Sequence, residues 1–166
     1  MLTVDSLIRI CLGIPIKQDA GSIDAKAFRD GNTKELAVCI TGCDTGFGRE
    51  LAMELASRGF TVFAGCLNDN GRRQYMGYKN IIPLKMDVTK VADVTAAFET
   101  VQKWISNSSA SMPRYLHAIV NNAGVSCMGT ADWLDMSDYY NTMEGESLVS
   151  PRMHSFLPFC SLSVLS

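Results

Sequence analysis

Basic charge, histidine and long apolar runs are scarce in this sequence, and each shortage removes a class of function. The 15 Lys and Arg against 17 Asp and Glu leave a net charge of -2. Such a balance supplies no field to draw in nucleic acid or an anionic membrane surface. The only histidines are His117 and His154, and the six cysteines, at positions 11, 39, 43, 66, 127 and 160, form no Cys-x-x-Cys pair. No zinc-ligand pattern results, so no metal site is expected. Neither histidine stands in a recognisable nucleophile arrangement. The thiols are expected to be free and mostly buried, in a reducing compartment. No segment reaches the roughly 18 to 20 apolar residues that a membrane-spanning helix needs. The apolar stretch LIRICLGIPI at residues 7–16 is short, contains Arg9 and follows Asp5. It makes a poor signal peptide, with a loosely attached leader or a membrane-surface contact as its alternatives.

What is present suits one globular domain: 166 residues, 47% hydrophobic and 19% charged. Residues 1–33 read as an arm or linker, because 17–33 (KQDAGSIDAKAFRDGNT) are polar and glycine-bearing. The run Leu36-Ala37-Val38-Cys39-Ile40 then fits a strand buried on both faces. Phe47, Leu51, Ala52, Leu55 and Ala56 recur at helical spacing, and Gly59 closes that helix. Residues 60–66 read as a second strand, 68–80 as a polar loop with a short helix, and 81–86 as a third strand weakened by Pro83. Thr89 is placed to cap a helix carrying Val91, Val94, Phe98, Val101 and Ile105. Residues 116–120 make a fourth strand, and Ser137 could cap a last helix through Glu144. Alternation of this kind predicts an α/β fold, a Rossmann-like doubly wound parallel sheet of about four strands with flanking helices.

The segment that carries chemistry is Thr41-Gly42-Cys43-Asp44-Thr45-Gly46-Phe47-Gly48, at a strand end and a helix start. One glycine permits a tight turn, another lets backbone approach a pyrophosphate, and the last lets helix and strand pack closely. Phosphates would face free N–H groups at the positive end of the helix. A glycine turn selected only for packing is the plain alternative; the strand–turn–helix order argues against it.

Three motifs in order resemble the classical short-chain dehydrogenase/reductases. They are the TGxxxGxG of Thr41 to Gly48, Asp87-Val88 after the third strand, and Asn121-Asn122-Ala123-Gly124 after the fourth. ITGCDTGFGRELA, FTVFAGCL and the run from Asp132-Trp133-Leu134 to Asp138-Tyr139 are similar to the retinol dehydrogenase, 17β-hydroxysteroid dehydrogenase and D-β-hydroxybutyrate dehydrogenase branch. The resemblance implies a cofactor-binding domain over residues 34–144 and a dinucleotide site made by Thr41, Gly42, Asp44, Gly46, Phe47, Gly48, Asp87, Val88, Asn121, Ala123 and Gly124. Gly42, Gly46, Phe47 and Gly48 would approach the pyrophosphate. Asp87 and Val88 would border the adenine, and Asn121, Ala123 and Gly124 the nicotinamide-side ribose. For Asp87 a helix-capping carboxylate is the plain alternative, and for Asn121 and Asn122 turn chemistry.

NAD or NADP is normally decided at the end of the second strand, by an acidic side chain or an arginine. Cys66, Leu67 and Asn68 stand there, so neither rule applies; neutral residues resemble NAD-using members, and NAD is expected, with NADP as the alternative. The resemblance also implies, for the full-length family, a small lipid-like alcohol or ketone substrate. It leaves open a homo-oligomer, pairing with a full-length relative, and an endoplasmic-reticulum or mitochondrial location.

The match stops near Glu144. The family continues with a valine and an asparagine where Gly145 and Glu146 stand, and residues 145–166 show no catalytic serine strand and no Tyr-x-x-x-Lys. No catalytic residue is therefore assigned. The expectation is an enzyme fragment inactive as given, with a divergent tail whose apolar residues either cover a sheet edge or stem from an altered transcript or gene model. A non-catalytic dinucleotide-binding or regulatory module, or an enzyme whose later half is missing from this sequence, are the alternatives. Tyr75-x-x-x-Lys79 has the catalytic spacing but precedes the third strand, and is read as ordinary loop or short helix.

Overall fold

The computed structural model describes residues 35–124, Ser137, Tyr140 and the backbone of 160–165. The expected N-terminal arm, the apolar stretch at 7–16 and most of the stretch between Gly124 and the tail lie outside the described residues. Ser137 and Tyr140 are helical, but the proposed capping bond of Ser137 falls among neighbours that are not described.

The elements are β1 (Glu35–Ile40), α1 (Gly46–Ser57), β2 (Thr61–Cys66), α2 (Asp69–Arg73), β3 (Ile81–Lys85), α3 (Val91–Ser106), β4 (Arg114–Asn121) and β5 (Cys160–Leu165). All pair in parallel, in the order β3-β2-β1-β4-β5. The expected Rossmann-like sheet is present, and the tail adds a fifth strand at its edge. β5 runs beside β4, pairing Leu116 with Cys160 and Asn121 with Leu165.

Strand alternation sends neighbouring side chains to opposite faces. Leu36, Val38 and Ile40 of β1 join Leu51, Ala52 and Leu55 of α1 in one buried cluster. Ala37 and Cys39 join Val94, Ala97 and Val101 of α3 in the other. Both faces are therefore covered, which is why β1 reads as an unbroken apolar run. α1 ends in a Schellman pair, Gly59 N–H to the Ala56 carbonyl and Phe60 N–H to the Leu55 carbonyl, each at 3.1 Å. Pro83 lies on the edge strand β3, where a proline is tolerated.

Three local expectations need correction. Phe47 does not belong to the buried face of α1; its side chain is 71% exposed, because it sits in the first turn, beyond the cover of the sheet. Val91 is likewise exposed, at the first position of α3, and Ala97 takes an inward place instead. Thr89 is not the cap of α3: the N-cap is Lys90, which makes no side-chain capping bond. The Thr89 hydroxyl is instead drawn back to the Asp87 carboxylate at 2.6 Å.

Candidate functional site

The glycine turn leaves the end of β1 and the Asn121-to-Gly124 segment leaves the end of β4, and these strands are neighbours although far apart in sequence. Between them the strand order reverses direction. In open α/β sheets such a switch point, at the carboxyl ends of the strands, is where ligands bind.

The two segments are locked together. Thr41 is fully buried, and its Oγ1 accepts from the Asn122 N–H at 3.0 Å and the Ala123 N–H at 2.9 Å. The Asn122 side-chain amide donates to the Thr41 and Gly42 carbonyls. Gly42 has φ 68°, and a Cβ there would come within 2.7 Å of the Ala123 Cα, so glycine is needed both for the turn and for the contact. Gly46, with φ 62°, has nothing within 4 Å of where a Cβ would project. A Cβ on Gly48 would run into the Asn122 side chain and the Gly42 carbonyl. Of the three glycines, Gly42 and Gly48 serve turn and packing, and Gly46 faces open space.

Thr45 is the extended N-cap of α1 and makes no side-chain capping bond; Thr45, Gly46 and Phe47 are exposed. The first amides of α1 lie at the positive end of a 12-residue helix.

The polar segment after β2 braces this turn from behind. The Gln74 amide donates to the Cys43 and Asp44 carbonyls at 3.2 and 3.1 Å, and the Tyr75 hydroxyl to the Cys43 carbonyl at 2.7 Å. Arg49 holds Gln74 in place through a 2.7 Å bond to its carbonyl oxygen. Tyr75 is buried, and burial raises its phenol pKa, with the Cys43 and Cys66 thiols adding. A tyrosine that moves protons needs the opposite shift. Gln74, Tyr75 and Asn122 were not in the expected site set. Asn122 stood inside its motif, whereas nothing in the sequence marked Gln74.

Asp44 reaches across to the end of β2. Its carboxylate accepts from the Leu67 N–H at 2.7 Å and the Asn68 N–H at 3.2 Å. Beside it lies a cleft of about 450 Å³ lined by Asp44, Thr45, Asn68, Asp69, Asn70, Gly71 and Gln74. Cys66 itself is buried; burial pushes its thiol up to about 12, with the Asp44 charge adding and Arg72 opposing.

Asp87 and Val88 follow β3, at the same end of the sheet but outside β2. Val88 is buried in the α3-side cluster. Burial works to raise the Asp87 carboxyl, but hydrogen bonds from the Thr89 hydroxyl, the Lys90 ammonium and the Thr89 amide together hold it below its usual value. The Asp93 carboxylate caps the Asp87 N–H at 3.1 Å. Asp87 therefore shapes the turn before α3 and does not itself cap the helix. Asn121 is buried at 6% exposure at the end of β4, followed by half-buried Ala123 and exposed Gly124. Among the described residues no group of His, Cys, Asp and Glu could hold a metal ion, and no helix is long and apolar enough to cross a membrane. Cys39, Cys43 and Cys66 are buried and form no disulfide.

Residues 36–147, more than half of the chain, match the family model for short chain dehydrogenase. The chain belongs to the short-chain dehydrogenase family. Its relatives within that family include the 17-beta-hydroxysteroid dehydrogenase type 6 of Bos taurus, 38% identical over 109 residues that make up 64% of this chain and 32% of the relative. The mitochondrial D-beta-hydroxybutyrate dehydrogenase of Rattus norvegicus is 36% identical over 129 residues, 74% of this chain and 36% of the relative. Retinol dehydrogenase 7 of Mus musculus is 36% identical over 109 residues, 64% of this chain and 33% of the relative. The chain thus spans about a third of the length of these short-chain dehydrogenases. Among solved structures, the 3-ketoacyl-(acyl-carrier-protein) reductase of Brucella melitensis complexed with NADH superposes with a TM-score of 0.65 at 22% identity, over 75% of this chain and 50% of that one. A short chain dehydrogenase of Burkholderia cenocepacia in complex with NADP gives 0.61 at 23% identity, over 76% and 49%.

Proposed function

We propose that this chain is the dinucleotide-binding part of an NAD(P)-dependent alcohol/ketone oxidoreductase, that NAD is its cofactor, and that as 166 residues it binds the dinucleotide at best weakly and does not turn over. The observation that carries the reading is the lock between Thr41 and the Asn122–Ala123 segment at the strand-order switch point. It fixes the two family motifs against one another, with Gly46 facing open space at the N-terminus of α1.

The residues fit a dinucleotide. The amides of Gly46, Phe47 and Gly48 would hold the pyrophosphate at the helix N-terminus, with Gly42 shaping the approach. Thr41 would set the turn from within. Asp87 and Val88 would border the adenine, Asp44 the adenosine ribose, and Asn121, Ala123 and Gly124 the nicotinamide-side ribose. When bound, the nicotinamide supplies hydride chemistry. The substrate class follows from the relatives: a retinoid, a steroid or a short hydroxy acid. Residues 34–144 would form the binding domain, with 1–33 as an arm.

A second reading, a non-catalytic or regulatory dinucleotide module pairing with a full-length relative, is favoured by β5, which gives β4 a partner from the tail. Titration of the purified chain with NADH and NADPH by calorimetry tests the core of the proposal. Saturable binding is expected, with no reduction of NAD in the presence of retinol, steroid or hydroxybutyrate. Absence of binding to both dinucleotides overturns the reading, and turnover overturns the claim of inactivity.

A further inference from the structure

We propose that Asp44, from within the glycine turn, selects NAD over NADP by placing its carboxylate at the end of β2. The inference rests on the dinucleotide reading above and names the residue that sets its specificity.

The end of β2 has no acidic or basic residue of its own, since Cys66, Leu67 and Asn68 stand there. Cys66 is fully buried and its Sγ points back to the Ala64 carbonyl, so it cannot reach a ribose. The negative charge arrives from the turn after β1. Asp44 Oδ2 and Oδ1 occupy the Leu67 and Asn68 amides at 2.7 and 3.2 Å, taking two donors that a phosphate could otherwise use. The fit is close on the far side as well. A Cβ on Gly71 would collide with the Asp44 carboxylate, so α2 approaches this carboxylate as only a glycine allows.

The cleft beside Asp44 is lined by two carboxylates, Asp44 and Asp69, and by neutral residues, with no Lys or Arg. The Arg49 guanidinium is bonded to the cleft-lining Gln74 at 2.7 Å and paired with Glu50 at 3.2 Å. Arg72 and Arg73 line a neighbouring cleft with Asp69, Met76 and Pro83, and the Arg72 guanidinium is paired with Asp69 at 3.0 Å. A ribose with free 2′- and 3′-hydroxyls can donate to the carboxylate. A 2′-phosphate brings only acceptors and negative charge to the same place, where both Asp44 oxygens repel it. The cofactor preference is thus carried by a position some 20 residues earlier in sequence than the usual acidic residue.

The test is the ratio of NADPH to NADH dissociation constants, measured on the full chain and on Asp44→Asn and Asp44→Ser, with circular dichroism to confirm folding. The unsubstituted chain is expected to favour NADH by about tenfold or more, and each folded variant to lose most of that preference, chiefly by tighter NADPH binding. A measurement on the unsubstituted chain keeps the test open if the variants misfold: raising salt from low to about 0.5 M should narrow the ratio, because only the 2′-phosphate meets the screened repulsion. A preference for NADPH, or a ratio unmoved by salt or in either folded variant, overturns the inference. Failure of the unsubstituted chain to bind either dinucleotide overturns the dinucleotide reading and this inference with it.

Discussion

The side-chain amide of Asn122 donates to the Gly42 carbonyl at 3.0 Å, joining residues 80 positions apart. A second bond from the same amide, to the Thr41 carbonyl at 3.0 Å, makes the loop after β4 a clamp on the turn after β1. Neither bond is part of the sheet ladder. The geometry of the candidate site therefore depends on side chains as much as on strand order.

Thr41 is the other half of that clamp. Thr41→Val keeps the shape but leaves the part-buried Asn122 and Ala123 amides without their acceptor, and it should cost about 1–3 kcal/mol in urea-unfolding free energy. Thr41→Ser retains the accepting oxygen and should recover most of the loss. Equal destabilisation by both would show that the methyl group, not the hydroxyl, matters.

Gly46 and Gly48 should separate binding from folding. Alanine at Gly48 puts a methyl into the Asn122 side chain and the Gly42 carbonyl, and should lower stability by about 2 kcal/mol despite alanine's better helix propensity. Alanine at Gly46 has room and pays only for its positive φ, about 1–2 kcal/mol. Its methyl would stand at the proposed pyrophosphate site, so dinucleotide affinity should fall at least about tenfold, a larger effect than the stability change alone explains. Thermal melts and NADH titration of the two variants decide it.

Asp87 carries a pH signature. Its folded carboxyl lies below the ordinary value of 3.8, so its contribution to stability is present above that value and is lost as pH falls through the lower, folded one. Asp87→Asn should destabilise by about 1–2 kcal/mol at pH 7, through loss of the bonds from Thr89 and Lys90. The gap between variant and unsubstituted chain should close below pH 3.8, as read from denaturant midpoints. A gap that persists undiminished in acid would remove the charge from the explanation.

The thiols respond at the other end of the scale. Because the folded Cys66 thiol is pushed to about 12 from 9.0, stability should fall as pH rises between those values, since only the unfolded chain ionises readily there. Cys43 is raised as well, burial being the main cause. At pH 8 the peptides holding Cys39, Cys43 and Cys66 should stay unmodified by iodoacetamide until denaturant is added. Rapid labelling in native buffer, followed by mass mapping, would contradict their burial.

Sequence periodicity made the strands and the two long helices legible because each has one dominant environment: β1 is apolar on both faces, and α1 and α3 each carry an apolar stripe. It misled at first turns. Phe47 and Val91 obey helical spacing yet protrude past the sheet that would cover them. Thr89 has the chemistry of a cap, but a carboxylate two residues earlier binds its hydroxyl first. In the candidate site, the motifs located the glycine turn and the loop after β4. Their mutual bonds were not legible, since they depend on β1 and β4 lying side by side. The bracing by Gln74 and Tyr75 was hidden for the same reason: a polar residue in a polar segment carries no mark of its distant partner. The strand formed by the tail was missed although Cys160, Leu162 and Val164 alternate with Ser161 and Ser163, because so short a stretch beyond the family match carries no mark of the strand it pairs with.

Pro83 has a consequence for how this sheet can meet other chains. The Met86 N–H donates to the Cys66 carbonyl, so by strand alternation it is the even-numbered residues of β3 that face β2, and the Pro83 nitrogen faces away. The outward side of β3 thus lacks a donor at its middle residue. An incoming strand would find a gap in the ladder there, and recruitment of a foreign segment, whether in crowded solution or during aggregation, is discouraged along that border.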